Sequence, residues 1–258
     1  YFSPQVFSSI FTGELDVKID TRRKNLTIFF SDIKGFTSLT EKLEPEQLTN
    51  LIADYLTEMT DIAMKYGGTV DKYIGDAIMI FFGDPDTKGI KIDAVSCVKM
   101  ALEMLTRLSV IKKKWESQGI SDNLSIRIGI HSDICTVGNF GSKDRLDYTV
   151  LGNGVNLASR LEGLAKPNTI LISDRTYNII KEEIDCTVSE EVKVKGKLQP
   201  VKTYKVNDVL SGHRNTDIFY EGEGFLLNIE ESKITNVDLI IDNLKKSILK
   251  LKSNKREK

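Results

Sequence analysis

Hydrophobic residues fall along this chain in two rhythms, one suited to strands and one to helices. Leu26-Thr-Ile-Phe-Phe30 is a short apolar run rich in β-branched and aromatic residues, which predicts a buried strand. Pro45 opens a segment whose apolar positions are Leu48, Leu51, Ile52, Tyr55, Leu56, Met59, Ile62 and Ala63. They return every three to four residues, which predicts an amphipathic helix stopped by Gly67-Gly68. Residues 69–82 predict two strands turning at Gly75-Asp76. A second long helix is expected over about 92–115, closed by Gly119. The runs 124–131 and 135–139 predict another hairpin. A helix over roughly 155–165, a strand over 169–173, a small helix and two late strands complete the pattern near residue 210. Strand, helix, two strands, helix, strand is the ferredoxin-like order. The expected fold class is therefore α+β: a βαββαβ core with helices on one face of an antiparallel sheet, and extra C-terminal strands.

The flanks differ from this core. Residues 1–24 read as a lead-in: Ser3-Pro4 suits a helix start, Val6, Ile10 and Phe11 follow at helical spacing, and a polar stretch covers 16–25. Residues 25–210 form the expected main domain and 211–258 a C-terminal extension. Within the extension, 219–229 reads as a strand or a lid. From Val237 the residues Val237, Ile240, Ile241, Leu244, Ile248 and Leu251 mark a Lys-rich amphipathic helix. Packing on the domain or its partner is the expectation there. Contact with an anionic membrane through Lys245, Lys246, Lys250 and Lys252 is the alternative. No internal repeat is visible.

Composition narrows the function classes. A chain of 258 residues with 40% hydrophobic and 28% charged content suits one sizeable domain with extensions, or two small ones. A formal net charge of −1 argues against a dedicated nucleic-acid binder, which would carry a basic balance. Cys97, Cys135 and Cys186 are far apart and odd in number, so they read as reduced, buried thiols in a cytoplasmic protein. No apolar run approaches the roughly 20 residues of a membrane span. The chain starts at Tyr1 rather than Met, with no signal-peptide pattern, and is expected to be cut from something longer.

Three segments carry candidate chemistry. In Phe30-Ser-Asp-Ile-Lys-Gly-Phe-Thr37, Asp32 ends a buried strand and the turn at Gly35 and Phe36 exposes backbone N–H groups. A hard oxygen ligand beside such groups suits a divalent metal carrying a polyphosphate; the plainer reading is a helix cap. In Asp71-Lys-Tyr-Ile-Gly-Asp76, Asp76 lies at a hairpin tip that can reach Asp32, although Gly-Asp is also an ordinary turn. In the third segment, residues 147–160, Asn156 and Arg160 are spaced i, i+4 on one helix face. An amide and a guanidinium side by side can hold a ribose and a developing phosphate charge; otherwise they are a solvated face.

Read jointly, these segments resemble the class III adenylyl and guanylyl cyclase domain. FSDIKGFT, KYIGDAIM, RIGIH, DYTVLGNGVNLASRLE and VKGK occur in that family's order and spacing, over about residues 22–209. Tyr1-Phe-Ser-Pro resembles the segment that often precedes bacterial members and joins them to sensor or membrane modules. The resemblance implies an adenylate cyclase that makes cyclic AMP from ATP, with an upstream sensor or regulatory domain as partner. Asp32 and Asp76 match the metal-binding aspartates, with the Ile33 carbonyl as a further ligand and Gly35 and Phe36 beside the substrate. Two divalent ions, Mg2+ or Mn2+, are the implied cofactors. Lys72 matches the purine-selecting lysine of adenylyl cyclases, where guanylyl cyclases carry glutamate. Thr149 matches its partner position, as in a bacterial subgroup that has threonine there. Asn156 matches the residue that orients the ribose, Arg160 the arginine on the phosphate in the transition state, and Lys195 the lysine on the distal phosphates. In the family these two sets face each other across a dimer interface, so a homodimer is implied and a monomer should be inactive.

The chemistry agrees with those roles. Cyclisation is attack of the ribose 3′-hydroxyl on the α-phosphorus with pyrophosphate leaving, a reaction suited to two-metal catalysis. Neither His131 nor His213 is placed as an obvious base. Adenine offers an amine donor at N6 and an acceptor at N1, which suits Thr149 and Lys72; guanine presents the opposite pattern. One departure is that Ser132 and Asp133 follow Arg127-Ile-Gly-Ile-His131, where the family shows a small residue then Gly. The competing readings are a guanylyl cyclase, a catalytically silent nucleotide-sensing domain, and a palm-type polymerase or diguanylate cyclase. No GGDEF-like string supports the last.

Overall fold

A computed structural model describes residues 4–12, 20–117, 124–142, 146–192, 200–210, 218–222, 225–229 and 237–254. The chain divides into two compact units, Tyr1–Leu210 and Ser211–Lys258.

In the first unit the elements run α1 (Pro4–Phe11), β1 (Thr21–Lys34), α2 (Phe36–Thr40), α3 (Pro45–Tyr66), β2 (Thr69–Ile74), β3 (Ala77–Phe82) and α4 (Ile90–Ser117). They continue with β4 (Ser125–Gly141), β5 (Leu146–Leu151), α5 (Asn153–Leu164), β6 (Thr169–Ser173), α6 (Asp174–Ile180), β7 (Ile184–Val188) and β8 (Thr203–Val209). The sheet order is β2-β3-β1-β4-β6-β8-β7, with β5 also paired to β4. Its first four strands give the expected ferredoxin-like arrangement, all antiparallel.

Alternation along the strands sorts the core into two layers. Phe29, Ile33, Ile78, Ile80, Phe82, Ile126, Ile128 and Ile130 face α3 and α4. Leu26, Ile28, Phe30, Met79, Phe81, Cys135 and Val137 face the other way, toward Val6 of α1, Tyr148 and Val150 of β5, and Ala158 of α5. The sheet is thus covered on both faces rather than one. The capping signals around α3 are borne out: Pro45 is its first residue, and Gly67 closes it at φ 82°. α5 lies directly on β4, where a Cβ on Gly129 would come within 2.1 Å of the Glu162 backbone nitrogen. Only glycine allows that approach.

Two expectations fail for a common reason. The strand expected at 26–30 extends from Thr21 to Lys34, and the hairpin expected at 124–139 is the single strand β4. β1 and β4 pair without interruption from Thr21↔Gly138 to Lys34↔Ser125. Ser132 and Asp133 looked like turn residues, yet the sheet satisfies them: Ser132 Oγ lies 2.9 Å from Thr27 Oγ1, and Asp133 accepts from Arg175. The departure at these positions therefore bends no turn. The loop after β3 is also built around polar pairs. Asp84, buried, takes Lys24 Nζ at 2.5 Å, Arg22 Nε at 3.1 Å and the Tyr148 hydroxyl.

Cys97 and Cys135 are buried and Cys186 is half-buried, all as free thiols. His131 is buried, with Nδ1 2.6 Å from Ser173 Oγ, so it serves the core; His213 lies outside the described residues. Among the described residues no helix is long and apolar enough to cross a membrane.

The second unit contains a hairpin of β9 (Ile218–Gly222) and β10 (Phe225–Ile229), where a strand or lid was expected, and α7 (Val237–Asn254). On α7, Leu239, Ile241 and Ile248 are exposed.

Candidate active site

Asp32 stands two residues before the end of β1, next to the central strand β4, and its direct cross-strand partner is Arg127. Arg127 Nη2 reaches Asp32 Oδ2 at 2.6 Å. The same nitrogen lies 3.0 Å from Glu162 Oε1 of α5, an ion-pair distance off the line of a hydrogen bond. Asp76, in the β2–β3 turn, accepts from the Ile33 backbone N–H at 3.0 Å through Oδ2. The fold thus brings Asp32, Ile33 and Asp76 together, as expected.

The electrostatics of this cluster are those of crowded negative charge. Burial and then the Asp32 carboxylate push Asp76 from 3.8 up to about 6. Burial pushes Glu162 up to about 7, against the pull of Arg127 and with the push of Asp32 and Asp76. Among the described residues no group of three or more His, Cys, Asp or Glu side chains forms a metal cage. Two carboxylates with oxygen donors only, held close enough to oppose each other's ionisation, fit hard divalent ions whose shells substrate phosphates and water complete. Beyond them, Gly35 at φ 83° turns the chain into the short α2, which begins at Phe36.

A second cluster forms between β2 and β5. Thr149, buried on β5, donates its hydroxyl to Asp71 Oδ2 at 2.6 Å. Lys72 Nζ lies 3.5 Å from Asp71 Oδ1, and 44% of the Lys72 side chain is exposed, enough to leave the ammonium open to a ligand. Lys72 and Thr149 are therefore neighbours, linked through Asp71. Burial raises Asp71 above the usual carboxylate range, opposed chiefly by the Thr149 hydroxyl.

Asn156 and Arg160 project from the exposed face of α5, whose opposite face buries Leu157, Ala158 and Leu161. Neither makes a hydrogen bond or ion pair to Asp32 or Asp76 among the described residues. The chain thus holds Asn156 and Arg160 apart from direct contact with the Asp32–Asp76 cluster. Lys195 lies outside the described residues.

Sequence reasoning missed three residues here. Arg127 lies within RIGIH, but its meaning depends on the strand register that sets it opposite Asp32. Glu162 follows Arg160 by two residues and so turns toward the sheet while Arg160 turns away. Asp71 precedes Lys72, and simple alternation would send the two to opposite faces.

A model of the adenylate and guanylate cyclase catalytic domain matches residues 19–208, and the chain belongs to that family. It is 36% identical over 190 residues to the terminal-differentiation specific adenylate cyclase of Dictyostelium discoideum, covering 72% of this chain and 9% of that protein. Against an adenylate cyclase of Anabaena cylindrica the identity is 33% over 214 residues, covering 80% and 42%. The chain thus spans less than half the length of these two relatives. The crystal structure of the adenylyl cyclase CyaB from P. aeruginosa superposes with a TM-score of 0.72 at 52% identity, covering 74% of this chain and 97% of that one.

Proposed function

We propose that the chain is the catalytic domain of an adenylyl cyclase, converting ATP to 3′,5′-cyclic AMP and pyrophosphate at composite sites of a homodimer. The observation that supports this reading is a pair of clusters: the carboxylates Asp32 and Asp76, joined through the Ile33 N–H, and a neighbouring lysine and threonine, Lys72 and Thr149, linked through Asp71. Both belong to one chain, so a two-fold dimer would face each cluster with the complementary one.

Asp32 and Asp76, with the Ile33 carbonyl, would hold the two divalent ions. These ions supply charge neutralisation of the triphosphate and a lowered pKa for the 3′-hydroxyl. Lys72 donates to adenine N1 and Thr149 accepts from the N6 amine. Asn156 orients the ribose. Arg160 stabilises charge growing on the α-phosphate, which a planar guanidinium does with two parallel hydrogen bonds, and Lys195 takes the distal phosphates. Arg127, already paired with Asp32, keeps a positive charge beside the carboxylate cluster. The upstream partner in this reading is a sensor or regulatory domain.

The test is direct. Purified protein is given Mn2+ or Mg2+ with ATP or GTP, and the cyclic product is identified by mass. Cyclic AMP from ATP is expected. Cyclic GMP alone would make the protein a guanylyl cyclase, and no product from a folded, nucleotide-binding dimer would favour a silent sensing domain.

A further inference from the structure

Register along β2 slips at Asp71. Val70 faces Ile80 and Lys72 faces Met79, so Asp71 is the extra residue of a β-bulge. Bulges re-aim side chains and gather near functional sites. This one turns Asp71 to β5, where its carboxylate meets three donors: the Thr149 hydroxyl at 2.6 Å, the Lys72 ammonium at 3.5 Å and the Val150 backbone N–H. The Asp71 side chain is 2% exposed, so water cannot take its place.

We infer that Asp71 is a specificity-determining positioning residue, which turns the Thr149 hydroxyl into a one-way acceptor and so commits the site to adenine. The inference rests on the reading of Lys72 and Thr149 as the pair that touches the purine. A threonine hydroxyl has one proton and two lone pairs, and by itself it can donate or accept. It would then serve the N6 amine of adenine by accepting and the O6 of guanine by donating. With its proton held on Asp71, only lone pairs face the base. The amine is welcomed, and the guanine oxygen meets another acceptor. Asp71 never touches the purine; it fixes the direction of the hydrogen bond that does.

Asp71→Asn tests this, because Lys72 dictates how the new amide must sit. The amide NH2 cannot occupy the Oδ1 position against an ammonium, so it faces Thr149 instead. Thr149 must then accept from it, and its proton turns outward to the ligand. The kcat/KM ratio of ATP to GTP should fall about tenfold or more, the effect of reversing one buried hydrogen bond. It should not invert, since Lys72 still opposes the guanine N1–H. Purine riboside triphosphate lacks the 6-amino group and should lose less than about threefold, within the change expected when no bond to the base is altered. In a Thr149→Val background, Asp71→Asn should leave the ATP to GTP ratio unmoved, because the hydroxyl it acts through is gone.

Equal losses for all three triphosphates, or an unchanged ratio in a folded variant, would overturn the inference and leave Asp71 as a strap between β2 and β5. Should Asp71→Asn fail to fold, Asp71→Ala frees the same hydroxyl and must lower the same ratio. A wild-type chain that makes no cyclic nucleotide from either substrate sinks the cyclase reading itself, which is a distinct result.

Discussion

Replacing Asp76 with asparagine removes a charge that the fold tolerates poorly and the proposed function requires. Asp76 is pushed up from 3.8 to about 6 by burial and by Asp32. The folded chain therefore holds this proton more tightly than the unfolded chain does. Its contribution to stability is fully present below about pH 4 and is lost as pH rises through about 6. A gap of about two pH units is worth about 3 kcal/mol, and solvent screening at this half-buried carboxylate reduces that to about 1.5 kcal/mol. Asn can still accept from the Ile33 N–H, so the turn keeps its hydrogen bond. At pH 7.5 in chelator, Asp76→Asn should melt about 3–6 °C above wild type, and at pH 4 the difference should vanish. Adding Mn2+ at about a hundred times its Kd should raise the wild type by about 2.7 kcal/mol and leave the variant unmoved. Fluorescence of the single tryptophan, Trp115, reports the unfolding, since it is buried in the core. A variant that melts below wild type at pH 7.5, or keeps the full metal response, would refute the reasoning.

Two further outcomes are expected. Asp32→Ala and Arg160→Ala should each be inactive alone, yet mixed they should recover about a quarter of wild-type activity: half of the dimers are mixed, and each has one intact site of two. No recovery despite proven subunit exchange would mean that each chain builds its own site. Gly129→Ala should cost about 3 kcal/mol, because its methyl group meets backbone atoms of Ala158 and Glu162 rather than yielding side chains. An unchanged melting temperature would contradict the seating of α5 on β4.

Most of the fold was legible because its helices announce themselves. α3 has a Pro start, a Gly stop and an unbroken apolar stripe, and the β2–β3 turn has Gly-Asp. Strand extent was less legible, because pairing rather than hydrophobicity carries β1 back through Arg22, Arg23 and Lys24 and carries β4 through Ser132 and Asp133. Those polar side chains look like loop until their partners are known; Lys24 and Arg22 answer Asp84, and Asp133 answers Arg175. The same holds at the candidate site. The residue pattern pointed to Asp32, Asp76, Asn156 and Arg160, and the family resemblance added Lys72 and Thr149. Arg127, Glu162 and Asp71 act through register, helix phase and a bulge, which a one-dimensional pattern does not encode.

The β1–β4 ladder has a mechanical side. It spans fourteen residue pairs, with Asp32 near one end and Asp20, the residue before β1, fastened to the other by the Asn139 N–H. A Cβ on Gly138 would come within 2.1 Å of the Asp20 carbonyl oxygen, so the two backbones are pressed together there. Tension along the chain at Asp20 loads all of these pairs in shear, instead of peeling them one at a time. A strand held in that way moves as a rod. Displacement at Asp20 would then reach Asp32 as translation over about 40 Å of strand. The sheet would answer such a pull by sliding as a body, with its carboxylate pair kept intact.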